Sequence, residues 1–201
     1  VAGGIPIIRG IKEGLTSNKI IKLIGILNGT SNYILSKMEK TGKTFPEVLK
    51  EAQKSGFAET NPKADLNGED VASKIKILSS LCFKTLISKN KILVNGIENI
   101  EIKDINIVKK LGYRIKLLGL TEVNKGKIFE RVHPSLVKID SYIGNINGVF
   151  NAIIIHGKPV GQSVMQGEGA GPGPTTSSLI SDLYSILRGN IKYPFIIPFK
   201  N

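Results

Sequence analysis

Residues 56–74, "GFAETNPKADLNGEDVASK", decide how the rest of the chain is read. Beyond them, from Asn67 to Phe83, the apolar positions Val71, Ile75, Leu78 and Cys82 recur at helical spacing and predict one helix. With Val71 at the centre of the apolar face, Lys74 falls at its border and Asp70 stands beside it at the i, i+4 distance. A lysine so placed is partly desolvated, which lowers its pKa, while a neighbouring carboxylate opposes the shift. It suits proton transfer or anion binding, and the same spacing also suits a plain helix-surface ion pair of about 0.3–0.5 kcal/mol. Glu59 and Asp65 crowd the Pro- and Gly-containing approach to this helix. The helix dipole accounts for an acid at the position of Asp65 but not for Glu59, which lies too far upstream. Carboxylates and an ammonium facing one cleft match a zwitterionic amino acid.

Outward from this stretch, "TFPEVLKEAQKSG" reads as a helix that Thr44 caps, Pro46 opens and Gly56 closes. "GGIPIIRGIKEGL" reads as a turn and a short amphipathic helix. Residues 20–27 form a β-branched strand that breaks at Asn28-Gly29-Thr30 and continues as a helix to about Glu39, with Gly42 beyond its end. "KNKILVNGIENI" looks extended and "DINIVKKLG" helical. Two strand pairs follow, one around "VNKGK" and one around "HGKP". A Gly/Pro loop then feeds a helix from about Thr176. Paired strands without regular βαβ alternation predict an α+β fold: a mixed, largely antiparallel sheet with helices packed on one face.

The chain has 201 residues, 41% of them apolar and 22% charged, which is a globular composition with room for a real core. No apolar run approaches the roughly 20 residues that span a bilayer, and "VAGGIPIIRG" is not a signal peptide. A cytoplasmic setting without membrane association follows as the expectation. The single cysteine, Cys82, excludes a disulfide framework and reads as a buried, inert thiol. A net charge of +12 suggests an acidic partner. The lysines are scattered and no aromatic RNA-binding signature appears, so nucleic acid is not expected; a phosphorylated small molecule fits the charge equally well.

Residues 52–74 resemble the signature of homoserine dehydrogenases: Ala, Gly-aromatic-Ala, Asn-Pro and Asp-Leu-x-Gly-x-Asp-x-x-x-Lys at matching gaps. "VAGGIPII", "GILNGTSNYIL" and "GEGAGPGPTTSSLISDL" resemble that family in the same order, so the likeness covers essentially the whole chain. It implies interconversion of L-homoserine and L-aspartate 4-semialdehyde with NAD or NADP, on the route from aspartate to threonine, methionine and isoleucine. By the same likeness Lys74 is the proton donor and acceptor at the substrate oxygen, and Asp70 orients it. Glu59 holds the substrate's amino group, with Asp65, Gly29 and Thr30 in the same pocket. Gly171 matches a glycine near the nicotinamide. The carbonyls of Val1, Gly3 and Ile5 match a monovalent-cation (Na+) site, whose carboxylate ligand in the family lies upstream of Val1.

The same likeness implies a substrate-binding, catalytic and dimerisation domain over 1–166, and a loop and helix over 167–201 that return to a dinucleotide-binding domain. No strand–Gly-rich loop–helix fingerprint for that domain occurs in the sequence. The chain therefore reads as an excised portion with little activity alone, and as a homodimer in the intact enzyme. Two rivals are an oligomerisation scaffold with a vestigial pocket, indifferent to Glu59 or Lys74, and a nucleic-acid-binding module with salt-sensitive affinity.

Overall fold

The computed structural model describes residues 1–85 and 92–189. Six strands form one sheet in the order β2-β4-β3-β1-β5-β6, with β1 Lys19–Ile26, β2 Leu93–Val94, β3 Tyr113–Asn124, β4 Lys127–Lys138, β5 Phe150–Lys158 and β6 Gly161–Glu168. Every pairing is antiparallel except the two-residue β2 against β4. The helices are α1 Ile7–Arg9, running into a π-type turn Gly10–Gly14, then α2 Gly29–Thr41, α3 Phe45–Lys54, α4 Lys63–Leu66, α5 Glu69–Phe83, α6 Ile102–Lys110 and α7 Pro172–Leu187. The architecture is the expected α+β one.

Local chemistry explains the boundaries. Thr44 and Glu47 form a reciprocal capping box at the start of α3. Gly42 ends α2 with φ 71°. Lys125 and Gly126 both take positive φ, 48° and 75°, as a two-residue hairpin between right-twisted strands requires.

The helix foreseen from about Asn67 to Phe83 is α5, which opens at Glu69 because Gly68 sits at φ 87° and a right-handed helix cannot pass through that conformation. Three expectations need correction. Of the stretch 89–100, residues 89–91 lie outside the described residues, and only Leu93–Val94 is strand. The second hairpin, expected around 156–159, turns later, at Pro159-Val160, since β5 continues to Lys158. Helix α7 begins at Pro172, not Thr176, because proline is tolerated in a first turn.

The main core lies between one face of the sheet and the helices. Leu23, Ile115, Leu117, Ile153 and Ile155 from the strands meet Ile34, Leu35 and Met38 of α2, Val71, Ile75 and Leu78 of α5, and Ile105 of α6. A smaller cluster, Ile26, Leu118, Ala152 and Ile154, is covered by Ile143 and Ile146 of the β4–β5 connection. Cys82 is buried at the end of α5, and burial pushes its thiol up to about 12, so it holds no thiolate at neutral pH.

Two features fix how α5 and α2 sit. At Gly119 of β3 a Cβ would lie 2.3 Å from Ile75 Cγ1 and 2.9 Å from Val71 Cγ1, so α5 rests almost directly on the strand backbone. Lys116 of β3 is 1% exposed, and its ammonium donates to Asn32 Oδ1 (3.0 Å), Asn147 Oδ1 (3.1 Å) and the Ile146 carbonyl (2.5 Å). Those bonds tie the β4–β5 connection to α2. Burial first, and then the Arg114 charge, push Lys116 down to about 8, with Glu39 opposing.

Gly119→Ala is expected to lower unfolding free energy by about 1–3 kcal/mol, read from urea midpoints, because the added methyl overpacks Val71 and Ile75. Lys116 gives a pH test. The folded chain loses this proton near pH 8 and the unfolded chain near 10.5. Between those values the unfolded state binds more protons, so stability gained from this group rises with pH, by about 3 kcal/mol at most. The stability difference between the parent chain and Lys116→Met, measured by urea unfolding, should therefore move in favour of the parent from pH 8 to 10.5 and stay flat below 8.

Candidate functional site

The site forms where β1 gives way to α2 and α5 passes beneath that corner. Asn28 is the N-cap of α2: its Oδ1 accepts from the Ser31 N–H at 2.8 Å. Its amide group faces the other way and donates to Asp65 Oδ1 at 2.7 Å and Asp70 Oδ2 at 2.9 Å. Asp65 is carried by the single turn of α4, and Asp70 by the first turn of α5, where the helix dipole favours an anion. Lys74 Nζ donates to Asp70 Oδ2 at 2.7 Å and to the Leu27 carbonyl at 2.9 Å. An ammonium has three donors, and no third partner of Lys74 occurs among the described residues. Both members of the ion pair are partly covered, at 26% and 29% side-chain exposure.

Glu59 stands apart from this cluster. Its side chain is exposed and has no hydrogen bond or ion pair among the described residues. Its backbone is held: Gln53 Nε2 donates to the Glu59 and Thr60 carbonyls at 3.2 and 3.3 Å. Thr30 Oγ1 donates to the Phe57 carbonyl at 2.9 Å, which ties the start of α2 to the loop bearing Glu59. Tyr33 and Phe57 add a ring pair with centroids 4.8 Å apart. At Gly29 a Cβ would stand 2.9 Å from the Val149 carbonyl, so the turn lies against the entry to β5.

Asp65, Asp70 and Lys74 thus meet at one point, with Gly29 and Thr30 on the adjoining helix start. The residue missed in the sequence is Asn28, which bonds both carboxylates and so joins Asp65 to the Asp70–Lys74 pair. Its only available signal was an Asn before a helical run, and capping explains that by itself.

The Gly-rich loop lies elsewhere, beside the first residues of the chain. Gly3 and Gly4 donate their N–H groups to the Gly169 and Glu168 carbonyls at 2.8 and 3.0 Å. Gly171 caps α7 at φ 115°. Of the three carbonyls matched to a cation site, that of Gly3 accepts the Ser178 hydroxyl and that of Ile5 accepts the Ile7 N–H. Each would hold a cation through its remaining lone pair. Among the described residues no cluster of three His, Cys, Asp or Glu side chains forms a metal site, and no helix is long and apolar enough to cross a membrane.

A sequence profile of the homoserine dehydrogenase family matches residues 6–184. The homoserine dehydrogenase of Pseudomonas aeruginosa is 45% identical over 194 residues, taking in 96% of this chain and 45% of that protein. The crystal structure of a homoserine dehydrogenase from Thiobacillus denitrificans superposes with a TM-score of 0.92 at 43% identity, covering 96% of this chain and 45% of that one. A hyperthermophilic archaeal homoserine dehydrogenase mutant, solved in complex with NADPH, gives 0.78 at 27% identity, covering 96% of this chain and 56% of that one. The chain spans less than half the length of the curated relatives it matches.

Two substitutions at Asn28 separate its roles. Asn28→Ala loses the cap, worth about 1 kcal/mol, and two bonds to carboxylates, each about 1.5–3 kcal/mol. Asn28→Asp keeps the cap but sets a third carboxylate about 3 Å from two others, where repulsion exceeds the value of a cap. In urea unfolding Asn28→Asp should be the less stable variant at pH 7, and the gap should close as pH falls through the carboxylate range.

Proposed function

The chain belongs to the homoserine dehydrogenase family, and from that membership we propose that it carries the substrate-binding, catalytic and dimer-forming part of an enzyme that interconverts L-homoserine and L-aspartate 4-semialdehyde with NAD(P). The observation that carries this reading is the uncommitted third donor of Lys74. Two of its hydrogens are fixed by Asp70 and the Leu27 carbonyl, which leaves one direction of the nitrogen for a substrate oxygen.

In the oxidative direction Lys74, as the neutral amine, takes the hydroxyl proton of homoserine while the carbon bearing that hydroxyl gives up a hydride. In reverse, the ammonium returns its proton to the aldehyde oxygen. NAD(P), when bound, supplies the hydride acceptor or donor. Asp70 orients the nitrogen and balances its charge in the protonated state; Asn28 keeps Asp70 and Asp65 together despite their like charges. Glu59, exposed and without a protein partner, receives the substrate ammonium, and Thr30 and Gln53 hold its loop in reach.

The wider organisation follows the same reading. No residue of α7 is buried, and Leu179, Ile180, Leu183 and Leu187 are exposed. That face suits docking on a dinucleotide-binding domain, with 1–166 as the catalytic unit and 167–201 as the returning segment. Gly171, at the head of α7, is then the cofactor contact. The relative solved with NADPH supports NADP as one of the two cofactors. The sheet face away from the helices exposes Phe129 and Val164 beside the nearly buried Ile154 and Leu120, which supports a homodimer formed across that face. The enzyme is placed in the cytoplasm, in amino-acid biosynthesis. A monovalent cation, when bound, would be held by the carbonyls of Val1, Gly3 and Ile5; no step of the reaction is routed through it.

The test is a chimera in which this chain replaces the matching region of the Pseudomonas aeruginosa homoserine dehydrogenase. Homoserine-dependent NAD(P)H formation should appear in the chimera and be near background for the chain alone. Lys74→Ala should lower it by about 10²–10⁴-fold. An active chimera that tolerates Lys74→Ala would favour the scaffold reading.

A further inference from the structure

A second concave site lies along α2, beyond the turn that carries Asn28. It is a half-open groove with a volume of about 650 Å³. Its walls come from four places in the chain: Tyr33, Ser36, Lys37, Glu39 and Lys40 of α2, Lys109 of α6, Arg114 of β3, and Asn147 and Gly148 of the β4–β5 connection.

The charges around it do not balance. Four cationic side chains face one carboxylate, and that carboxylate is already taken: Arg114 Nε donates to Glu39 Oε1 at 2.9 Å, with both side chains largely covered. Lys37, Lys40 and Lys109 close no ion pair among the described residues. Behind the wall stands the buried ammonium of Lys116. Its acceptors, Asn32, Ser36, Ile146 and Asn147, are all neutral, and Ser36 and Asn147 are themselves pocket residues. A buried ammonium is ordinarily paired with an anion, because leaving it without a counter-charge in low dielectric is costly. Here the nearest carboxylate is spent on Arg114.

We infer that this pocket binds a small multivalent oxyanion, phosphorylated or polycarboxylate, held by Lys37, Lys40, Lys109 and Arg114, with the buried Lys116 adding positive potential from behind the wall. The four lining cations come from three elements and converge on a concave surface, which suits a compact ligand rather than an extended polymer. Arg114, fixed by Glu39 and by its own bond to the Gly144 carbonyl at 2.9 Å, is the preorganised member. The exposed lysines contribute mobile donors. The site is independent of the dehydrogenase reading, since none of its cations belongs to the Lys74 cluster.

The test is calorimetric titration of the chain with pyrophosphate and, separately, citrate, at fixed near-physiological ionic strength. Saturation at one site per chain is expected, weakened roughly tenfold or more by the double variant Lys37→Glu, Lys109→Glu and unchanged by Lys127→Glu at the remote hairpin turn. Tighter binding of pyrophosphate assigns a phosphorylated ligand; tighter binding of citrate assigns a polycarboxylate. A second readout is the titration of Lys116 followed by NMR, which should move to higher pH on saturation. Equal weakening by Lys127→Glu, absence of saturation, or a Lys116 titration unmoved by bound anion would each overturn the inference.

Discussion

One side chain, Asn28, bears the conflict on which the site depends. Two carboxylates within hydrogen-bonding distance of one amide repel each other, and the lone ammonium of Lys74 reaches only one of them. Asn28 resolves this by giving each carboxylate one of its two N–H donors, while its oxygen caps α2. Serine or threonine could cap the helix but offers a single hydroxyl donor, and aspartate offers none. The amide is therefore the one cap that also holds two acids. Because it is buried at the junction of β1 and α2, the position of Asp65 and Asp70 is set by the strand and not by mobile loops.

The backbone around that junction is shaped by close approach. Gly119 lets α5 settle on β3, which brings the Asp70–Lys74 turn up to the end of β1 and allows Lys74 to reach the Leu27 carbonyl. Gly29 does the corresponding service for α2 against Val149. Both are places where a missing side chain fixes a distance between elements far apart in sequence. Periodicity cannot report such distances, since a glycine in a strand or a helix start has several local explanations.

Features governed by neighbours in sequence were legible. The cap at Thr44, the stop at Gly42 and the hairpin around Lys125-Gly126 follow from local hydrogen bonding and sterics, and the structure has each of them. The helix α5 was legible from its apolar period, and Gly68 at positive φ sets its start; the single turn α4 before it is too short to show a period and was not foreseen. At the site, the spacing of Asp70 and Lys74 is a helical one and could be read. The convergence of Asp65 with them depends on Asn28, 37 residues upstream, and no spacing rule spans that gap. Lys116 is the clearest omission: within "YRIKLLGL" it looks like one more lysine of a basic chain, and only its three-dimensional neighbours reveal it as a buried cation.

The early residues of the chain and α7 run side by side. Gly3 and Gly4 pair with Gly169 and Glu168, Ser178 bonds Gly3, and Arg9 binds both the Ser181 carbonyl and Asp182. Entry to the sheet and departure from it are thus fastened at one corner, while the Lys74 cluster sits at another junction. A body gripping that corner would hold the sheet as a door is held along its hinged side, free to swing as a unit without shearing its strands.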